Sequence, residues 1–207
     1  WERLTSDAPV SKLRQTVRTG RDRMRAALLY RLPVDLHGQR VLDAGCGAGQ
    51  LSVELARRGA EVVGVDISPN LLDVARQRTP DDVTRQITYQ AGDMLDAELG
   101  LFDHVVAMDS LIHYEPEDIV SALGQLASRT RQSIVFTVAP ATVLLRGMHV
   151  AGKLFPRGDK SPAIRPISEG RLRRDCADAP ALRRWSMPPS ERIKSGFYIS
   201  TAIRLTR

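Results

Sequence analysis

The chain has 207 residues, 43% of them apolar, with a formal net charge of +6 and no low-complexity tract. That length predicts one domain with room for a three-layer core. No apolar run reaches the ~20 residues a bilayer span needs, and no signal peptide is visible, so the composition speaks against a disordered, fibrous or membrane-spanning chain. The chain opens on Trp1 rather than Met, which predicts further residues upstream. The excess of cations suits RNA, an anionic membrane surface or an acidic small molecule, and equally an arginine-rich composition with no such meaning. Two cysteines, Cys46 and Cys176, fit a reducing, cytoplasmic setting.

Residues 1–10 are polar, contain Pro9, and read as an arm. Ser11 can cap a helix running to about Arg31, with Leu13, Val17, Met24 and Leu28 at helical spacing. Gly20 in its middle weakens that helix. Arg14, Arg18, Arg21 and Arg25 form a second stripe on it. The stripe is either a solvated face or a basic wall toward carboxylates or phosphates.

The rest of the chain is organised around the stretch Arg40 to Gln50. Val41–Ala44 reads as a buried strand that breaks into a turn with glycines at 45, 47 and 49, and a helix runs on from Leu51 to Arg58. Glycines there allow a tight turn and close approach of a ligand. A parallel strand delivers such a turn to the carboxyl edge of its sheet, where open α/β folds bind ligands. The spacing is D-x-G-x-G-x-G, from Asp43 to Gly49. A dinucleotide fingerprint, G-x-G-x-x-G, would need a glycine where Gln50 stands. A pyrophosphate wants the helix N-terminus without a nearby carboxylate. A cofactor carrying an ammonium group tolerates one, and Asp43 supplies it. The pattern resembles motif I of the class I S-adenosylmethionine (SAM)-dependent methyltransferases.

Glu61–Asp66 is the second strand. Asp66 lies ~20 residues past the glycines, where an acid takes the two hydroxyls of an adenosine ribose. Ser68-Pro69 starts a helix to about Arg78. Ile87–Ala91 is the third strand, and Gly92-Asp93-Met94 sits at its end. In the methyltransferase pattern Asp93 accepts from the adenine amino group and Met94 covers the ring. Phe102–Asp109 is the fourth strand, and Met108 to Tyr114 leaves the sheet beside the glycine turn. Pro116 opens a helix to about Ser128, and Ser133–Val138 is the fifth strand. Five βα units in succession demand a parallel, doubly wound sheet.

Ala141–Phe155 is apolar apart from Arg146, His149 and Lys153. It walls a hydrophobic pocket, docks on a membrane or is simply buried. A basic, proline-rich loop covers Pro156 to Pro166, and Ser168 caps one more helix through Arg174. Arg183–Met187 and Gly196–Ile203 read as two last strands. The expected architecture is a Rossmann-like, mostly parallel seven-stranded sheet with an antiparallel C-terminal strand. A helical arm or lid precedes it (1–32), and a substrate-side segment is inserted (140–170).

The four histidines, His37, His104, His113 and His149, show no metal-ligand spacing, and no G-x-S-x-G elbow appears. Cys46 has no His/Asp partner pattern and reads as a small turn residue. The cofactor therefore carries the chemistry, and the protein aligns nucleophile, methyl and sulfur. His113 is the side chain best placed to handle an acceptor, unless it only packs locally. No N/D-P-P-Y/F tetrapeptide comes after the fourth strand, which argues against a base N-methylase. Nucleic acid is not expected as a partner.

Beyond motif I, several segments together resemble one family. They are Val10–Asp22, Asp43–Gly49, Val65–Ser68, Gly92–Asp96, Met108–Tyr114, Phe136–Pro140, Gly152–Pro156 and Gly196–Ser200. The chain resembles the magnesium-protoporphyrin IX O-methyltransferases of bacteriochlorophyll synthesis over nearly its whole length. The resemblance implies methyl transfer from SAM, leaving S-adenosylhomocysteine (SAH), to one porphyrin propionate. It implies cofactor contacts at Asp43, Gly45, Gly47, Gly49, Asp66, Ile67, Ser68, Gly92, Asp93, Met94 and Met108. It implies acceptor contacts at His113, Arg18, Arg21, Tyr114 and Lys153. The magnesium belongs to the substrate, so no protein metal site is expected. It further implies a partnership with the magnesium chelatase large subunit and loose attachment to the photosynthetic membrane. The family carries an arm upstream of Trp1, so the lid is expected to be incomplete here. A quinone or phenol acceptor is the alternative, and would need a base such as His113.

Overall fold

The computed structural model describes residues 12–141, 164–196 and 198–207. The expectations for the arm 1–10 and for residues 142–163, Lys153 among them, lie outside the described residues. Strands β1 (Arg40–Ala44), β2 (Glu61–Asp66), β3 (Ile87–Ala91), β4 (Phe102–Ala107) and β5 (Thr130–Val138) run parallel. With β6 (Glu191–Ser195) and β7 (Tyr198–Thr206) they form one seven-stranded sheet in the order β3-β2-β1-β4-β5-β7-β6. β7 is antiparallel to both of its neighbours, as a closing C-terminal strand was expected to be. The order reverses between β1 and β4, and such a switch point opens a crevice at the carboxyl ends of the strands.

The pleat sorts side chains onto two faces. Val41, Val62 and Val106 face α1 (Lys12–Tyr30) and α2 (Gln50–Arg57), meeting Met24, Leu28, Leu51 and Leu55. Leu42, Val63 and Val105 face the other side. There α4 (Pro116–Ser128) brings Ile119, Leu123 and Leu126, and α5 (Glu169–Asp178) brings Leu172. The helix α3 (Pro69–Arg78) packs on β2 and β3. Truncating a fully buried leucine such as Leu123 to alanine is expected to cost roughly 2–5 kcal/mol.

The structure explains Gly20. A Cβ there would lie 2.6 Å from the Tyr198 ring, so the helix has to expose bare backbone to β7. The β6–β7 hairpin grips α1 again where Ser195 Oγ donates to the Thr16 carbonyl at 2.9 Å. Packing thus overrides the helix-weakening effect of the glycine.

The C-terminal expectations need correction. No strand forms over 183–187; a 3-10 turn at Pro180–Leu182 and a single bridge from Ser186 to Thr206 stand there. The sixth strand is Glu191–Ser195, and β7 starts at Tyr198 because Gly196 turns with φ 57°. The fourth strand stops at Ala107, and α5 runs on to Asp178 rather than ending at Arg174.

Candidate active site

The glycine turn hangs from β2: the N–H groups of Gly45 and Cys46 both donate to the Val65 carbonyl, at 2.8 and 3.0 Å. Gly47 has φ 55°, a region L side chains avoid, and a Cβ there would meet nothing within 4 Å among the described residues. Its N–H donates to Asp66 Oδ2 at 2.9 Å, while the Ser68 N–H donates to Oδ1 at 2.9 Å. The carboxylate at the end of β2 is thereby fixed, and each oxygen keeps acceptor capacity for a hydroxyl. Ser68 Oγ caps α3 by accepting from Leu71 N–H. Past β3, Asp93 Oδ1 accepts from Leu95 N–H at 2.9 Å in a tight local turn.

These groups line a cavity of about 580 Å³, with Ile67, Gly92 and Met94 beside them. Met108, Asp109, Ser110, His113, Tyr114 and Arg21 line the same cavity. A second, small cavity of about 60 Å³ opens beside it, lined by Arg21, Arg25, Asp43 and Gln50 among others. Arg21, Gly45, Gly47, Leu71 and Met108 border both. The shape fits a nucleoside at the Asp66–Asp93 end and an amino-acid tail at the Asp43 end. Two features support the fit: the open cradle at Gly47, and Ser110 Oγ, buried without a hydrogen-bond partner among the described residues.

Asp43 is 1% exposed and lies on the α2 side of β1, where Ser52 Oγ donates to it at 2.6 Å. Burial pushes its pKa up to about 7, against the pull of the Ser52 bond and with a push from the Asp66 charge. Burial also pushes the Cys46 thiol up, with the Asp43 and Asp66 charges adding to it, so Cys46 is no nucleophile. Among the described residues no group of three or more His, Cys, Asp or Glu could hold a metal ion.

Asp109 was not foreseen. It has φ 56°, is 8% exposed and sits two residues past β4 inside a network. Tyr198 Oη donates to Oδ1 at 3.0 Å, Thr137 Oγ1 donates to the same oxygen, and Arg21 Nε lies 3.3 Å from Oδ2. Burial raises its pKa, and the Arg21 charge, then the Tyr198 and Thr137 bonds, pull it back. Arg129 was also missed: buried at the end of α4, it donates to the carbonyls of Met94 and Asp96 and fixes the loop after β3.

His113 closes a 3-10 turn, Leu111–His113, whose buried Leu111 and Ile112 seat it at the cavity wall. Tyr114 comes next on the same wall. Two expected contacts stand differently. Gly49 borders neither cavity; its missing Cβ makes room for Tyr89 Oη and Ala75. Met94, 7% exposed, packs in the core with Leu99 and Phe102 and also lines the larger cavity. Arg18 is exposed and outside both cavity walls.

Residues 41–133 match the model of the methyltransferase domain. A solved magnesium protoporphyrin IX methyltransferase from Synechocystis PCC 6803 with bound SAH superposes with a TM-score of 0.81 at 29% identity, covering 100% of this chain and 92% of that one. Fold and cleft together define a SAM-dependent methyltransferase of class I. Residues 107–207 match the model described as magnesium-protoporphyrin IX methyltransferase C-terminus. A magnesium-protoporphyrin O-methyltransferase from Rhodobacter capsulatus is 52% identical over 98% of this chain and 88% of its own. This chain belongs to the magnesium-protoporphyrin O-methyltransferase family. A ubiquinone biosynthesis O-methyltransferase from Xanthomonas oryzae matches at 35% over 60% of this chain and 55% of its own.

Proposed function

We propose that this chain transfers the methyl group of SAM to one propionate of magnesium-protoporphyrin IX, forming the monomethyl ester in bacteriochlorophyll synthesis. The carrying observation is the 52% identity to the Rhodobacter capsulatus enzyme over 98% of this chain. The ubiquinone relative matches 60% of the chain, so a quinone or phenol acceptor has the weaker support.

When bound, SAM supplies a methyl group activated on a sulfonium. The chain's part is binding, alignment and exclusion of water. Asp66 accepts from the ribose hydroxyls, Asp93 from the adenine amino group, and Asp43 faces the ammonium end. Ile67, 84% exposed at the cavity rim, offers an apolar face to the purine ring. A propionate is already anionic at neutral pH, with a reference pKa near ~4. The acceptor end therefore needs to orient a carboxylate and has no proton to remove. His113 orients it, with Arg21 and Tyr114 beside it. The remaining expected acceptor contact, Lys153, belongs to the same proposal.

Association with the magnesium chelatase large subunit and loose attachment to the photosynthetic membrane, from a cytoplasmic location, complete the proposal. Their support is the family membership and the net charge of +6, which suits an anionic surface. No helix among the described residues is long and apolar enough to cross a membrane.

The test is incubation with magnesium-protoporphyrin IX and SAM, followed by mass analysis. One added methyl is expected. No added mass, with SAH binding intact, would move the acceptor to a quinone or phenol. His113→Phe should cut turnover roughly 10–100-fold while SAH affinity holds. Unchanged turnover would remove His113 from the site.

A further inference from the structure

Asp109 is a buried carboxylate at the cavity wall to which the proposed methyl transfer assigns no role. It sits where four sequence-distant elements converge. Its own backbone continues β4 into the segment that carries Ser110 and His113. Thr137 reaches it from β5, Tyr198 from β7 and Arg21 from α1. Its N–H donates to Thr137 Oγ1 at 2.8 Å, so backbone and carboxylate both hold the same threonine. Its φ of 56° lies where non-glycine residues are uncommon and Asp and Asn are enriched. Strained residues of this kind persist where the surroundings over-determine them.

The same contacts decide where α1 lies. Gly20 brings the helix onto the Tyr198 ring, and Arg21, the next residue, reaches past that ring to Asp109. The Tyr198 hydroxyl lies within reach of both oxygens of the same carboxylate, 3.0 Å from Oδ1 and 3.3 Å from Oδ2. Arg25, one turn further along, pairs with Glu54 of α2 and so ties the helix to the cofactor side independently. The helix is thus pinned at two points, and the Asp109 point is the one at the acceptor end.

Resting on the proposed function, we infer that Asp109 is a positioning residue for the acceptor. By gripping Arg21 and Tyr198 it fixes α1 as the wall against which the substrate carboxylate is aligned. The cofactor end, held by Gly47 and Asp66, does not depend on it. Asp109 acts on the acceptor through Arg21 and Tyr198.

The test is Asp109→Asn, since Asn tolerates the same φ and keeps hydrogen-bonding capacity toward Tyr198 and Thr137 while losing the charge toward Arg21. The KM for magnesium-protoporphyrin IX is expected to rise about tenfold, the size of one lost charge-assisted bond, with SAH affinity within about twofold of wild type. Amide exchange over residues 15–24 should quicken, while β1 stays protected. Arg21→Gln should raise that KM at least as much, its SAH affinity standing outside the comparison because Arg21 also borders the small cavity at Asp43, and the double variant should be no worse than Arg21→Gln alone, because Asp109 acts through Arg21. Tyr198→Phe, which removes only a hydroxyl, should move KM the same way by less, and it keeps the test available if Asp109→Asn does not fold. An unchanged KM, an equal loss in SAH affinity, or multiplying effects in the double variant would overturn the inference. If the wild-type protein leaves the pigment unmethylated, the proposed function fails, and the exchange measurement alone still decides whether Asp109 holds the helix.

Discussion

The two ends of the cleft are built in different ways. The cofactor end is backbone: Gly47 N–H and Ser68 N–H hold Asp66, Leu95 N–H holds Asp93, and every partner but one lies within two residues of the acid it serves. The acceptor end is side chains from afar: Asp109 meets Arg21, Thr137 and Tyr198, the last 89 positions away. A binding site made of main-chain donors is rigid and general, and suits one cofactor used throughout a class. A site assembled from distant side chains can change its acceptor by changing a few residues.

The contrast breaks most sharply at Gly47. A valine there meets nothing in the protein among the described residues, yet it fills the cradle and sits at φ 55°. SAH affinity should fall at least ~100-fold, about 2.7 kcal/mol, while the thermal transition drops only modestly. Retained affinity in Gly47→Val would mean that the cofactor does not lie against this turn.

Asp43 sharpens the comparison through pH. With its pKa raised to about 7 by burial, the empty site holds a proton on Asp43 below that pH. An ammonium group nearby favours the carboxylate, so binding expels the proton. SAH affinity should therefore climb with pH by up to about tenfold per unit and level off above roughly pH 7. Asp43→Asn should bind more weakly and lose this slope. Calorimetry across that range in two buffers of different ionisation enthalpy reads both quantities.

Gly20 gives the smallest effect, on the other end. Alanine there would press its Cβ within 2.6 Å of the Tyr198 ring. A loss of roughly 1–3 kcal/mol in unfolding free energy is expected from overpacking. Acceptor KM should worsen while SAH affinity holds, as measured by denaturant unfolding beside the two binding assays. A stabilised variant would mean that helix propensity outweighs the contact.

The same contrast explains what could be read in the residues alone. Asp43, Gly45, Gly47, Asp66 and Asp93 were legible because their spacing along the chain is their spacing in the site. The parallel core of the sheet was legible for the same reason, each strand leading to its helix. Asp109 was not, since nothing near it in sequence announces Arg21 or Tyr198. The sixth strand was misplaced because Glu191–Ser195 is a largely exposed edge strand that needs few apolar residues. Trp185 and Met187, which suggested a strand, instead pack on the core from an irregular segment. His104, one of four scattered histidines, is structural: it bonds Ser133 and Gln39, and burial lowers its pKa to about 4.

Everything rests on the adenosine end lying between Asp66 and Asp93. Titration of SAH into the wild-type protein and into Asp66→Asn, read by calorimetry, tests that most directly. The wild type should bind one SAH per chain, and Asp66→Asn should weaken binding about 10–100-fold, as expected for hydrogen bonds from two ribose hydroxyls to a charged acceptor. Equal affinity in the two proteins, or no heat in either, would contradict the account.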